Sequence, residues 1–596
     1  MLRRSLLRGA AALAVVPRAG WAAPSAAPRR VRPGDPGWPD AQAWESLNKA
    51  VGGRLIEPKP LLEACISNGQ SDACKATLKA MFNPFFLGDQ VSGAQVSGWY
   101  NAWAPAVSAR AVAARNTADV QAAVNFARNH NLRLVVKGGG HSYQGTSNAP
   151  DSLLVWTRPL RDVTVHDAFT PSGGREAVPA VSVGAGAVWL DVYDAVTTKA
   201  GRYAQGGGCT TVGVAGHIQS GGFGSLSKTF GTAAGSLLEA EVVTADGVAR
   251  IVNQHRDPEL HWALKGGGGG GFGVVTRLTL RTHPLPGVFG GVNGRLQAKT
   301  PEAWRALVAR FVAFYAERLA SHPWGEQVAF RPGNVLTLSL LTQGLTEDAM
   351  RALFAPFVAW TAEPANGIET VEPVEPWSTP GRDFLNVAGM RAGGVKAMHY
   401  DERPDARPNQ GWWRGDQDQV GMFIHGYDSL WLPKSLLAPS RQSQLVDALV
   451  EGARAAPIMF HFNKGLAGAP ADALALSRDT ATNPKVLDAF TLVIIANGGP
   501  PLYPGVPWKA PDPATPRNDA QAVDRAMAPL YRIAPDGGSY VSESNFFNAR
   551  WSEAFWGENY PRLLRVKRRY DPEGLFFAHH GVGSEDWSAD GFQRLA

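Results

Sequence analysis

Two glycine-rich stretches of this sequence each carry one side chain that can act as a nucleophile. Three successive glycines precede His141 in the first stretch, and three precede Cys209 in the second. Glycine adopts positive φ without strain and lets the backbone pass close to a ligand, and successive N–H groups in such a loop can bind a diphosphate. A structural alternative exists for each loop: a tight turn beside a histidine in the first, and a mobile, low-complexity loop in the second.

The first loop does not match the common nucleotide-binding motifs. No Gly-Lys-Ser/Thr follows its glycines, as a Walker loop requires, and the glycine spacing differs from the nicotinamide fingerprint. In the second stretch, between Gly206 and Gly224, apolar residues interrupt the glycines, which favours a packed loop over a mobile one. The small side chains around Cys209 leave room for a flat ring system. The interrupting residues are Val212, Val214, Ala215, Ile218 and Phe223.

Each loop follows a predicted strand. Residues 108–115 are predicted to form a strand, Asn116 or Thr117 then caps a helix, and the buried strand 132–136 leads to His141. The two loops therefore repeat one arrangement of elements. Before the second loop the same order is predicted as a strand around Val181 and Val183, a helix over 187–200 closed by Gly201, and a strand over 202–204.

The sequence pattern changes after Pro284 and Pro286. Beyond this boundary amphipathic helices alternate with strands, which is typical of an antiparallel sheet backed by helices. Near the C-terminus a single helix is predicted over about 551–570, followed by a turn at 571–574. The clearest helices after the boundary are 301–319 and 441–455, and the clearest strands are 335–342 and 489–496.

The N-terminal residues are typical of an export signal. Arg3 and Arg4 precede an apolar stretch over residues 6–16, which is too short to cross a bilayer permanently, and small residues follow up to Ala22. We expect residues 1–22 to be a twin-arginine signal peptide and the mature protein to be periplasmic or secreted. The export route for unfolded chains is the alternative.

The charge of the chain gives no indication of a nucleic-acid partner. The formal net charge is +6, and removal of residues 1–22 leaves 54 basic and 52 acidic residues. No later segment has 18 consecutive apolar residues, so no permanent membrane span is expected.

The chain has three cysteines. In an exported protein Cys65 and Cys74 are expected to form a disulfide that closes a short loop. Cys209 is then left over, and an odd thiol in such a protein is expected to be buried, reactive or used in another bond.

Four motifs lie in order between about residues 105 and 580, and together they resemble those of the berberine-bridge-enzyme-like flavoprotein oxidases in the vanillyl-alcohol-oxidase superfamily. The first two are the glycine loops with His141 and Cys209, the third closes an FAD domain, and the fourth is a C-terminal segment. The arm at 42–74 looks like an extension of fungal-type members. The motifs cover residues 137–145, 208–224, 260–275 and 555–572.

This resemblance implies an α+β fold with a PCMH-type FAD-binding domain. An inserted substrate domain of an antiparallel sheet plus helices would follow, and a C-terminal berberine-type segment would complete the FAD domain. The implied segments are the signal peptide 1–22, an N-terminal arm 23–104, the FAD domain 105–286, the substrate domain 287–539 and the berberine-type segment 540–583.

The resemblance also implies FAD bound through two covalent bonds, from His141 to the 8α carbon of the isoalloxazine and from Cys209 to carbon 6. Both side chains are nucleophiles suited to an electron-poor ring. No metal is expected, because His579 and His580 have no further ligands at suitable spacing. The other residues implied to bind FAD are Gly138, Gly139, Gly140, Ser142, Tyr143, Gly145, Gly208, Thr211, Val212, Gly213, Gly216, Gly221, Gly222, Gly224, Val274 and Asn559.

The implied reaction is two-electron oxidation of an alcohol or a sugar-type hydroxyl. In this family a small side chain three residues after the cysteine accompanies reactivity with O2, so Val212 favours an oxidase that releases H2O2. If Val212 only packs beside the ring, a dehydrogenase with another electron acceptor is the alternative. A non-catalytic binding protein that retains the flavin fold is a third interpretation.

Two residues near the C-terminus are candidates for the catalytic base. Members of the family often have Tyr-x-Asn-Tyr there, and this chain has Tyr540-Val-Ser-Glu543, so Glu543 stands where the catalytic tyrosine is usual. A carboxylate beside an apolar ring can act as a base if its pKa is raised. Tyr540 competes with it, and an ordinary glutamate on a strand is the alternative. Further candidates in the predicted substrate sheet are His461, Asn463 and Arg478.

Overall fold

The computed structural model describes residues 29–503 and 512–595. The predicted signal peptide, residues 1–22, lies outside these ranges. The described residues form three large β-sheets with helices packed on them, which confirms the predicted α+β fold class. Within the described ranges no helix is both long and apolar enough to cross a bilayer.

The His141 loop directly follows a strand of the first sheet, Arg133–Lys137. This sheet has three parallel strands and an antiparallel edge strand. The helix Thr117–Asn129 packs on it through alanine and valine side chains, and the Asn116 side chain caps this helix by accepting the N–H of Asp119. In spatial order the strands are Leu55–Ile56, Arg110–Ala113, Ser152–Trp156 and Arg133–Lys137.

The second sheet is antiparallel and supports the Cys209 loop. The predicted helix over 187–200 is Trp189–Tyr193 continued by the wider π-helical turn Asp194–Lys199, and Gly201 ends it with φ +65°. In spatial order the strands are Ala249–Asn253, Leu237–Val243, Val274–Pro284, Val178–Gly184 and Val163–Phe169, with Arg202–Ala204 paired to the end of Val274–Pro284. Short helices beside it are Val214–Gln219, Ser227–Phe230 and Pro258–Leu264.

The third sheet has eight strands, and one of its faces is covered by helices that form the largest apolar core. All neighbours are antiparallel except the last pair. In spatial order the strands are Ile368–Pro380, Val288–Ala298, Val335–Gln343, Trp324–Arg331, Ile458–His461, Ala489–Gly499, Met422–Pro433 and Val96–Trp99. The covering helices are Pro301–Phe314, Glu347–Ala362, Gln442–Gly452 and Ala514–Ile533.

The N-terminal arm contributes strands to two sheets, which the sequence did not indicate. Leu55–Ile56 is an edge strand of the first sheet, and Val96–Trp99 is an edge strand of the third. Cys65 and Cys74 form the predicted disulfide. The predicted domain boundaries themselves stay a prediction. The helices of the arm are Ala41–Ala50, Glu63–Ser67, Asp72–Ala80 and Pro84–Asp89.

The single C-terminal helix predicted over 551–570 is wrong. Gly557 has φ +52° and separates the helices Trp551–Trp556 and Tyr560–Tyr570. Lys567 from the second helix donates to the carbonyl of Gly271 at 2.7 Å, so this segment packs directly against the glycine loop that precedes the strand Val274–Pro284.

A connection over residues 381–421 crosses the Cys209 loop. It contains a short helix, Val387–Ala392, and a two-stranded hairpin of Met398–Tyr400 and Gly411–Trp413. A 3-10 turn, Arg414–Gln419, follows the hairpin. We call this segment the crossing segment.

Candidate active site

One large cavity of about 1760 Å³ lies where the three sheets meet. Pockets for single small ligands usually measure about 300–1,000 Å³, so this cavity has room for a dinucleotide and a substrate side by side. Its walls come from the two glycine loops, the 267–271 loop, the third sheet and the segments 540–543 and 577–582.

His141 and Cys209 both contact the side chain of Thr211. His141 Nε2 and the Thr211 hydroxyl form a hydrogen bond of 3.0 Å, and Cys209 Sγ lies 3.9 Å from the same hydroxyl. The two loops, about 70 residues apart in sequence, therefore bring their nucleophiles to one part of the cavity. The described residues contain no disulfide partner for Cys209.

Burial sets the protonation of both nucleophiles. It lowers the pKa of His141 to about 3, so the imidazole is neutral and keeps a nitrogen lone pair. Burial, with a smaller contribution from the nearby carboxylate of Asp416, raises the pKa of the Cys209 thiol. His141 is thus ready to form a bond, whereas Cys209 must first lose a proton.

Close backbone packing explains several of the glycines. A Cβ on Gly139 would lie 3.0 Å from the backbone nitrogen of Gly213, so the two loops touch through their main chains. A Cβ on Gly206 would lie 2.2 Å from the Trp189 ring, and one on Gly224 would lie 1.7 Å from the carbonyl oxygen of Gly206. Larger residues would push the loops apart or close the cavity.

Several polar groups on the cavity wall have no partner in the described part of the protein. The N–H groups of Gly139, Gly140 and His141 have no acceptor there. Buried polar groups are normally hydrogen-bonded, so unsatisfied ones on a cavity wall indicate a ligand. The chemistry of the lining, with free N–H groups, flat glycine walls and polar acceptors, fits FAD. Buried lining atoms without a partner are Gln144 Oε1, Thr337 Oγ1, Asp416 Oδ2, His461 Nδ1, Asn463 Oδ1 and His580 Nδ1.

The two base candidates lie on one turn but differ in character. Glu543 faces the cavity and accepts a hydrogen bond of 2.5 Å from Lys464 Nζ. Tyr540 is buried, and burial raises the pKa of its phenol. Its ring meets Phe223 edge to face, with centroids 5.0 Å apart. Tyr540 therefore keeps its proton, while Glu543 carries a negative charge balanced by an ammonium group.

The third sheet adds polar residues beside this ion pair. His461, Asn463 and Lys464 stand at the end of the strand Ile458–His461, and all three line the cavity. Burial lowers the pKa of His461, which is neutral. Arg478, the third sequence candidate from this region, is exposed on the helix Ala471–Arg478 and does not line the cavity.

The structure brings most of the predicted site residues to the cavity wall. His579 and His580 also line it and stack on each other, with ring centroids 3.8 Å apart. The lining residues from the prediction are His141, Cys209, Gly138, Gly139, Gly140, Ser142, Tyr143, Gly208, Val212, Gly213, Gly216, Tyr540 and Glu543. Predicted residues that do not line it are Gly145, Thr211, Gly221, Gly222, Gly224, Val274 and Asn559.

Two of these outlying residues have other contacts. Asn559 donates to the carbonyl of Thr482 at 3.0 Å and so connects the C-terminal segment to the third sheet's loops. A Cβ on Gly145 would lie 2.5 Å from the Trp103 ring, which shows close packing against the arm.

The charged or phenolic cavity residues that the sequence did not indicate include Lys464, Asp416, Glu326 and Tyr427. Lys464 directly follows Asn463, which was already a candidate, so the sequence offered a signal that could have found it. Asp416 and Glu326 offered none, because Asp416 lies in the irregular crossing segment and Glu326 has φ +64° within a strand.

Comparisons with known proteins match both ends of this site. A family model described as FAD binding domain matches residues 108–253, and one described as berberine and berberine like matches residues 539–583. A VAO-type flavoprotein oxidase of Thermothelomyces thermophilus is 30% identical over 595 residues, with 95% of each chain covered.

Solved structures share the fold over nearly the whole chain. The crystal structure of a VAO-type flavoprotein from Myceliophthora thermophila has a TM-score of 0.77 and 27% identity, covering 95% of this chain and 100% of the other. A glucooligosaccharide oxidase from Acremonium strictum, described with a 6-S-cysteinyl, 8α-N1-histidyl FAD, has a TM-score of 0.62 and 19% identity, covering 82% and 94%. At 19% identity, the likeness to the glucooligosaccharide oxidase shows a shared fold alone.

Proposed function

The chain belongs to the VAO-type family of FAD-linked oxidoreductases with a berberine-like C-terminal segment, and from this premise we propose that it is an oxidase whose FAD is held by His141 and Cys209. The proposed reaction is two-electron oxidation of an alcohol or sugar-type hydroxyl, with O2 reduced to H2O2.

The observation that carries this proposal is the shared contact of the two nucleophiles with Thr211. His141 Nε2 and Cys209 Sγ approach one hydroxyl from two different loops, at 3.0 and 3.9 Å. Such a pair can be bonded to one flat ring system. A structural histidine beside an inert thiol would not need a cavity of this size around it.

Bound FAD supplies the acceptor for a hydride, and the side chains of this protein supply the rest. Glu543 is our candidate to accept the hydroxyl proton of the substrate, since it faces the cavity and is charged. Lys464 positions the Glu543 carboxylate through their 2.5 Å contact. Tyr540 packs behind them and retains its proton. General-base catalysis of this kind contributes about 10²–10⁴ in rate.

The choice of O2 as electron acceptor rests on Val212. Val212 lines the cavity three residues after Cys209, and its N–H contacts the Cys209 carbonyl at 3.5 Å. A larger side chain here would fill space beside the cysteine, which O2 must otherwise reach. We expect Val212→Leu to lower the rate of H2O2 formation more than the rate of substrate oxidation with an artificial acceptor.

We propose the substrate class from the residues that line the cavity. Polar side chains such as Asn293, Gln327, Arg331 and Thr379 line it along the third sheet, beside the aromatic rings of Trp377 and other residues. Hydroxyl groups of an alcohol or sugar can hydrogen-bond to the polar side chains, and the C–H face of a sugar ring can stack on the aromatic rings. The fold shared with a glucooligosaccharide oxidase supports the same class.

We also propose that the protein acts outside the cytoplasm. The twin-arginine residues Arg3 and Arg4 and the disulfide between Cys65 and Cys74 support this location. A fusion of residues 1–32 to a reporter that is active only after export tests it, with Arg3→Lys/Arg4→Lys as the variant that should stop export.

The activity is tested by adding alcohols and sugars to the protein without O2 and recording loss of the oxidised flavin absorbance. A substrate that bleaches the flavin is then added in air, where an oxidase releases one H2O2 per substrate oxidised. Bleaching without peroxide in air would favour the dehydrogenase, and no bleaching by any hydroxyl compound would contradict the proposed reaction.

A further inference from the structure

Cys209 must lose a proton before it can form a bond, whereas His141 need not. A thiol reacts as its thiolate, and burial raises the pKa of this one. His141 is not placed to take the proton, because its own pKa is lowered to about 3 and its Nε2 is bound to Thr211. Bond formation at Cys209 therefore needs another proton acceptor nearby.

Asp416 lies near Cys209 on the wall of the cavity, and its negative charge contributes to the raised pKa of the thiol. One of its oxygens, Oδ2, is buried and has no partner among the described residues, so it is available to receive a proton. Both side chains line the same cavity. Asp416 thus combines a place near the sulfur on the cavity wall with an unoccupied acceptor atom.

The crossing segment is fixed to the cysteine loop on both sides of Cys209. Thr210 Oγ1 donates to the carbonyl of Gly411 at 2.8 Å, and Trp413 Nε1 donates to the carbonyl of Gly208 at 3.2 Å. These bonds join the immediate neighbours of Cys209 to residues just before Asp416. These two side-chain-to-backbone bonds therefore hold the part of the crossing segment that carries Asp416 next to the cysteine loop.

The surroundings make Asp416 a stronger base than an exposed aspartate. Burial, together with the carboxyl of Glu326, raises the pKa of Asp416 to about 6. The phenols of Tyr143 and Tyr193 lie near Cys209, and burial raises the pKa of both, so they remain neutral. At neutral pH Asp416 is ionised and is a charged proton acceptor on the wall of the same cavity as the thiol.

We propose that Asp416 removes the proton of Cys209 as this thiol forms its bond to carbon 6 of the flavin, an inference that rests on the covalent attachment proposed above. The S–H bond breaks, its proton passes to the carboxylate, and the sulfur electron pair forms the S–C bond. The hydrogen on carbon 6 leaves as a proton. O2 takes the two electrons and two protons as H2O2, so one thiol, one ring C–H and one O2 give one thioether and one H2O2.

The test follows the fraction of the residue-209 peptide that carries flavin mass, by mass spectrometry of protein incubated in air at several pH values. For Asp416→Asn we expect Cys209 to react on the order of 100-fold more slowly at pH 7 than in the parent. The rate should rise with pH, because hydroxide replaces the missing base. Asp416→Glu should recover part of the rate.

Two comparisons separate this role from a structural one. Asp418→Asn makes the same charge change two residues away and should react like the parent. The flavin bond of His141 should form normally in Asp416→Asn and in Asp416→Ala, which shows that both variants fold and bind FAD. A parental rate at Cys209 in either variant, or a rate that does not depend on pH, overturns the role of Asp416 and leaves the attachment standing. A parent without flavin on Cys209 overturns the attachment and this inference together.

Discussion

Glu543 and Lys464 form the ion pair on which the proposed proton transfer depends. Their contact of 2.5 Å joins the C-terminal turn to the end of a strand in the third sheet. The sequence indicated Glu543 through its place in a motif but could not show the ammonium partner, which is 79 residues away in the chain. Packing decides that Glu543 faces the cavity as a charged group, whereas Tyr540 is buried.

Replacing Glu543 and Tyr540 one at a time is expected to show which of them is the catalytic base. Glu543→Gln should lower kcat by about 10²–10⁴, the range for loss of a general base, while Tyr540→Phe should lower it less than about 10-fold because the buried phenol keeps its proton. Steady-state kinetics with a substrate found by anaerobic bleaching checks this. A larger loss in Tyr540→Phe than in Glu543→Gln would reverse the assignment.

Asp428, which lies outside the cavity, is expected to make the stability of the protein depend on pH. It is buried on the strand Met422–Pro433 and accepts a hydrogen bond of 2.9 Å from the Tyr531 hydroxyl. Burial raises the pKa of Asp428 from 3.8 to about 6. Below about pH 4 both folded and unfolded chains hold this proton. As pH rises through 6, the folded protein loses stabilisation, by about 3 kcal/mol at most.

Asp428→Asn is therefore expected to stabilise the protein relative to the parent more at pH 7 than at pH 4. Thermal unfolding of both proteins at the two pH values measures the difference in Tm. A difference in Tm that is the same at both pH values would show that Asp428 does not retain its proton on folding.

At the scale of elements, two buried lysines connect separate segments to the cavity. Lys137, just before the His141 loop, donates to three carbonyls of the arm, among them Gln90 and Gly93 at 3.0 Å each. Lys228, on the helix Ser227–Phe230, donates to the carbonyls of Gly465, Ala467 and Phe490 at 2.7, 3.0 and 3.2 Å. The first bond set holds the arm to the His141 loop, and the second holds the third sheet near Lys464.

The two lysines are expected to give different defects when replaced by methionine, which keeps the apolar stem. Each change removes three hydrogen bonds from a lysine to main-chain carbonyls, so each should lower the free energy of unfolding by about 3 kcal/mol. Lys137→Met should also reduce the fraction of protein with flavin on His141. Lys228→Met should lower kcat while flavin attachment stays complete.

Each lysine variant is the control for the other. Denaturant unfolding gives the stability, peptide mass spectrometry gives the flavin on residue 141, and kinetics on flavin-loaded protein gives kcat. Equal effects of both variants on attachment and on kcat would show general loosening of the fold and contradict the separate roles.

Element positions were largely predictable where the chain is periodic. The apolar run over 132–136 predicted the strand before the His141 loop, and Asn116 or Thr117 predicted a helix start, because these signals are local. The break at Gly557 was missed, since one glycine inside a helical pattern is tolerated in many helices. The arm's two strands were also missed. They are short edge strands, stabilised by sheets that form elsewhere in the chain.

At the scale of the whole molecule, the arm carries the disulfide and connects two sheets. Cys65 and Cys74 are nine residues apart and pack with Met81 and Tyr503, and neither cysteine lines the cavity. Closing a loop of this length stabilises a fold by about 3 kcal/mol in the chain-entropy relation. The disulfide is thus expected to support stability and not chemistry.

Replacement of both cysteines by serine should lower Tm by several degrees and leave kcat within about twofold of the parent. Thermal unfolding and kinetics under identical conditions measure the two effects. A large loss of kcat in folded protein would place the arm in the catalytic machinery, against this account.

In the proposed enzyme, one FAD is bonded to the protein through both His141 and Cys209. Mass spectrometry of peptides from the denatured protein tests it most directly, with His141→Ala, Cys209→Ala and the double variant as comparisons. We expect flavin mass joined to both peptides in the parent, to one peptide in each single variant, and to none in the double variant. Parent peptides without added flavin mass would contradict it.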